Sequence, residues 1–148
     1  MLLNIVIGLS TMAVCLMLQS VLIVVALRYY TRHDVMGTHP TAWSTLRVLN
    51  AVMTLLVVGN LAQLVIWAFV FRLLGEFEAM DVAVYHSAVN FASLGYGDIV
   101  MTERFRLLGP LEAVNGVLMI GVSTAALMTT LQDAYQRTRA SRSGAARD

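Results

Sequence analysis

The stretch Ser93-Leu94-Gly95-Tyr96-Gly97-Asp98 lies between a short helix-forming segment and a long apolar one, and it decides how the rest of the chain is read. For successive backbone carbonyls to face one axis, residues must alternate between ordinary and left-handed backbone regions. Glycine alone reaches the left-handed region without steric cost. Gly95 and Gly97 stand two apart, as that alternation demands. The side chains between and before them, Leu94 and Tyr96, then point away from the axis and pack behind it.

The composition places this loop in a bilayer. Of the 148 residues 58% are hydrophobic and 13% charged, with a mean hydropathy of +0.73, which is too apolar for an ordinary soluble domain. The basic residues are all arginine, ten against nine acids, so a net charge of +1 gives no footprint for nucleic acid and only the placement of charge is informative. Cys15 is the single cysteine and excludes an intrachain disulfide.

Residues 3–27 carry no charge and are long enough to span, so segment 1–27 is expected to be a first transmembrane helix. A cleaved signal peptide fits less well, because a basic start and a small-residue cleavage site are missing. Gln19, its one clearly polar side chain, suits a helix-to-helix hydrogen bond. Residues 28–47 form a polar connector with Arg28, Arg32, His33, His39 and Arg47. The two histidines lack the carboxylates or thiols of a metal site, and Pro40-Thr41 suits the start of the next helix. The second span covers 48–73, with Asn60 and Gln63 on one face that should turn toward protein. A helix over 79–92 is only about 20 Å long and must dip into the membrane and return. Glu76, Glu78 and Asp81 at its start complement the positive end of its dipole, which leaves the negative end toward the loop. Residues 107–132 form the third span and 133–148 a polar tail.

The loop resembles the potassium-channel signature Thr-Val-Gly-Tyr-Gly-Asp, with four of six positions identical and Ser93 and Leu94 as conservative departures. The third span, with Gly116, Gly121 and then Ser123-Thr124-Ala125-Ala126-Leu127, resembles the family's inner helix, including the five-residue glycine spacing associated with bending. The resemblance covers about residues 48–132. The simplest subunits of that family have two spans around the loop, so the first helix is an addition; with it, the resemblance implies an all-α membrane protein of three transmembrane helices plus a re-entrant pore helix and filter loop, with four identical chains around one pore. It further implies potassium ions, and no other cofactor, held by Ser93, Leu94, Gly95 and Tyr96, with Gly97 completing the filter. Asp98, Tyr85 and His86 are its expected supports, Tyr85 donating to Asp98 from behind. Val89 stands where some members carry a buried acid, so that hydrogen bond is absent. Val117, Ile120, Thr124 and Met128 are expected to line the pore, since steps of three, four and four make one helical face. Gly116 and Gly121 are the expected hinges.

Glu112 shares a face with Asn115 and Gly116 and is a candidate pH sensor, with Arg104, Arg106 or His86 as its expected partner. Arginines at 28, 32 and 47, and at 137, 139, 142 and 147, outnumber those at 72, 104 and 106 near the loop. Connector and tail are therefore assigned to the cytoplasm, and the N-terminus and filter to the outside of a plasma (inner) membrane, with membrane lipid as the surrounding partner. No span has arginine at every third position, so a voltage sensor is not expected, and the tail is too short for a ligand-binding domain. No repeat of the transporter kind, no nucleophile with a base, no metal cluster and no phosphate loop appears. A non-conducting accessory subunit with the same fold is the rival to a channel.

Overall fold

In the computed structural model, which describes residues 1–34 and 42–144, the chain forms four helices: α1 Leu2–Asp34, α2 Ala42–Leu73, α3 Met80–Phe91 and α4 Leu108–Gly144. His39, Pro40 and Arg147 lie outside the described residues. Among the described residues there is no strand, and three helices are long and apolar enough to cross a membrane, over Leu2–Arg32, Leu46–Leu73 and Leu108–Gln136. α3, at 12 residues, is about 18 Å long and cannot span.

The helices run past their apolar stretches at the end away from the filter. α1 continues to Asp34, α2 starts at Ala42, and α4 continues to Gly144 rather than giving way to a tail at 133. Packing explains the extension: Tyr30 of α1 and Ala134 of α4 are buried together with Ala26, Val52 and Leu56 in a hydrophobic cluster. Hydropathy marks what lies in lipid, whereas a helix continues wherever a neighbour covers it.

Contacts set the helix directions. Asn4 Nδ2 donates to the Arg104 carbonyl at 2.7 Å, Gly8 packs on Leu111, and Gln19 meets Ser123, so α1 runs parallel to α4. Leu22 packs on Gly59 and Gln19 meets Gln63, so α1 runs antiparallel to α2. The N-terminal end of α1 therefore lies on the same side as the loop that follows the filter. A second, larger apolar core sits at that end, with Cys15, Trp67, Phe71, Phe91, Met101, Phe105, Leu108 and Met119. Between the two cores lies a belt of amides and one hydroxyl.

Gly116 is set against the Phe91 carbonyl, where a β-carbon would collide with main chain that cannot move aside. Close approach of α4 to the end of α3 accounts for this glycine without any bending. Gly121 differs, since a β-carbon there meets nothing within 4 Å. Gly116→Ala is accordingly expected to lower stability by about 1–3 kcal/mol, the usual cost of overpacking, and Gly121→Ala to leave it unchanged or raised. Thermal unfolding of the two variants in detergent checks the contrast, and equal melting temperatures would contradict it.

Candidate functional site

The site begins where α3 ends. Its C-cap is Ala92, the Ser93 amide donates to the Asn90 carbonyl and the Leu94 amide to the Val89 carbonyl, both at 2.8 Å. This pair of bonds is a Schellman ending, which requires a left-handed residue after the cap. Ser93 supplies it at φ 57°, a conformation that costs a non-glycine residue about 1–2 kcal/mol. Gly95 follows at φ 61° and Gly97 at φ 72°, while Leu94, Tyr96 and Asp98 keep negative φ. The alternation of handedness thus starts one step earlier than the glycines indicate. Within the chain a β-carbon at Gly95 or Gly97 would meet nothing within 4 Å, so here it is the left-handed backbone that calls for glycine.

Three braces hold the descending side of the loop. Tyr85 Oη donates to Asp98 Oδ2 at 2.7 Å. His86 Nδ1 contacts the Ile99 carbonyl at 3.0 Å and its Nε2 lies 2.8 Å from Asn90 Nδ2. Because the carbonyl can only accept and the amide nitrogen can only donate, the imidazole is neutral with its proton on Nδ1. Burial pushes the His86 pKa down, which favours the same form. The ring is wedged between Phe71 and Phe77, with centroids 5.6 and 4.9 Å away. Glu76 is the third brace, accepting from the Thr102 amide and from Thr102 Oγ1, each at 2.7 Å. Sequence reasoning assigned Glu76 to the dipole of α3, but only Asp81 lies in that helix's first turn. The signal for its actual task was its place in the turn before α3, within reach of the returning loop.

Glu112 is fully buried, and its carboxyl and the Leu64 carbonyl, 2.7 Å from Ser87 Oγ, share the one proton of the Ser87 hydroxyl. Within the chain, the expected partners Arg104, Arg106 and His86 do not bond to it. Arg104 and Arg106 are exposed in the loop before α4, Arg104 lying 5.0 Å over the Phe105 ring, whereas Glu112 faces inward one turn into the helix. Glu112 thereby joins α4 to α3 and α2 behind the loop. Asn115 is also fully buried, beside Cys15 of α1.

Ser93 to Asp98 are all exposed in the single chain. So are Val117, Ile120, Thr124 and Met128 on α4, while Met119 on the opposite face is fully buried. An apolar recess of about 460 Å³, lined in part by Leu61, Leu64, Phe91, Leu94, Tyr96 and Ile120, opens beside the loop.

Comparison with models of protein families matches residues 54–133 to an ion channel family. The match covers a little over half of the chain, from within α2 through α3 and the loop to α4. Comparisons with curated proteins and with solved structures give no significant match.

The Tyr85 hydroxyl is the main cause holding the Asp98 carboxyl below its ordinary value, and the bond in turn raises the tyrosine. A carboxyl pKa depressed by folding contributes stability above the ordinary value and loses it as pH falls through the lowered one. Tyr85→Phe is expected to move the Asp98 titration midpoint upward, as followed by the carboxyl NMR shift. An unchanged midpoint would show that the hydroxyl does not hold the carboxylate.

Proposed function

The chain belongs to the ion channel family and is an integral membrane protein, and on that basis we propose that it conducts potassium selectively through a filter of backbone carbonyls. The observation that carries this reading is the left-handed φ at Ser93, Gly95 and Gly97, every second residue. This alternation is the condition for carbonyls of neighbouring residues to face one axis. Ser93, Leu94, Gly95 and Tyr96 would then offer oxygens that replace the hydration shell of a cation, with Ser93 adding its hydroxyl at the inner end. Leucine in place of valine at position 94 changes the packing behind the filter and removes no oxygen.

One chain contributes one such loop, so four copies are needed to surround an ion. The exposed apolar recess beside Leu94 and Tyr96 supports this assembly, because it offers those side chains a neighbouring subunit to pack against. Val117, Ile120, Thr124 and Met128 would line the conduit beneath the filter, and Gly121, free of close neighbours, would be its hinge. The arginine distribution supports a filter facing outward and a cytoplasmic C-terminus.

Full-length protein reconstituted in liposomes is expected to give rubidium uptake that barium blocks. Cysteines at Val117 or Thr124 should react with water-soluble thiol reagents and reduce that uptake, whereas one at Met119 should not. Absence of barium-sensitive flux from a folded protein would favour a non-conducting accessory subunit.

A further inference from the structure

α1 lies outside the matched region yet is bound to it at mid-membrane. Gln63 Nε2 donates to Gln19 Oε1 at 2.7 Å, and Gln19 Nε2 donates to Ser123 Oγ at 2.8 Å. Asn60 Nδ2 donates to the same oxygen at 3.3 Å, and Ser123 Oγ donates to the Met119 carbonyl at 2.8 Å. A hydroxyl has one proton and two acceptor sites, so that of Ser123 is fully used. Gln19, Gln63 and Ser123 are 1%, 0% and 8% exposed, and each lies close to the middle of its span. A buried amide left without a partner at that depth is costly.

The position of this lattice along α4 gives it meaning. Gly116 is fixed against the Phe91 carbonyl, which ties the upper part of α4 to α3. Gly121 has no such neighbour, and Ser123, two residues further on, is the next point at which α4 is held by hydrogen bonds to other helices. Two of the three amides in the lattice belong to α2, but the shortest bond to Ser123 comes from α1. We infer that α1 is a latch on α4: the Gln19–Gln63–Asn60–Ser123 lattice holds the part of α4 beyond Gly121 in its straight course, and releasing it lets α4 bend at Gly121. A first helix that is no part of the matched pore region thereby sets the balance between two courses of the helix proposed above to line the pore, and its bearing on current rests on that reading.

The test uses the full chain in bilayers, with Gln19→Leu and Ser123→Ala compared with the parent. Thr11→Val serves as a control, since the buried Thr11 hydroxyl bonds to the Ile7 carbonyl of its own helix. Two spin labels per chain, diluted with unlabelled chains in a Cys15→Ala background, report distances. One pair, at Met53→Cys and Met128→Cys, reads α4 beyond Gly121, and the other, at Leu61→Cys and Val117→Cys, reads it before. Both lattice variants are expected to shift or broaden the first distance and leave the second unchanged, and the control to leave both unchanged. Open probability should change by about three- to twenty-fold for each interhelical hydrogen bond lost, the range that one such bond in a membrane allows. Folded lattice variants with the parent's distances at Met128 would overturn the latch. If Gln19→Leu does not fold, Ser123→Ala, which removes a single oxygen, decides the matter. The distances are read without current, so a parent that fails to conduct would defeat the channel reading while the latch is still decided.

Discussion

Backbone that leaves a helix at membrane depth must have every polar group answered by protein, or by water in a cavity that protein shapes. The loop after α3 meets this constraint in an extreme form, because alternating handedness at Ser93, Gly95 and Gly97 turns its peptide groups away from the pairing that a strand or helix would give. Nothing in the loop itself holds that conformation. The surroundings must do so, and much of the architecture at this end of the molecule follows from the need. The Schellman ending of α3 sets the first left-handed residue, and Tyr85, His86 and Glu76 fix the returning chain at Asp98, Ile99 and Thr102.

Behind these contacts the support continues outward. His86 is held by Asn90 and by the rings of Phe71 and Phe77, Ser87 joins α3 to Leu64 and to Glu112, and Gly116 lets α4 come against the last turn of α3. A frame of contacts therefore surrounds the loop, while α4 past Gly121 is held by the hydrogen bonds at Ser123 and by the apolar cluster around Tyr30 and Ala134. α1 packs on α2 and α4 and ties both ends of the bundle together, with Asn4 at one end, Gln19 in the middle and Tyr30 at the other.

Much of this was legible in the amino-acid order because it depends on local rules. Glycine two apart, a helix too short to span and three long apolar runs each have few alternative readings. What was hidden depends on distant partners. Gln19 announced that it needed a hydrogen bond, but Ser123, more than a hundred positions away, could be found only from the packing. Glu112 announced a burial problem, and the nearby arginines were the obvious answer in sequence. In the folded chain those arginines point outward and a serine on another helix takes the place. Ser93 was hidden for a different reason, since a left-handed serine has no mark in composition and follows only from how α3 ends. Helix ends were misjudged where Tyr30 and Ala134 pack beyond the apolar runs.

The measurement that bears most directly on the filter reading is the reversal potential of the reconstituted protein with potassium on one side and sodium on the other. Carbonyls held at the spacing of a dehydrated potassium ion predict a potential that follows the potassium gradient, moving by about 59 mV for each tenfold change. A potential that stays near zero under these conditions, following sodium as closely as potassium, would contradict the account.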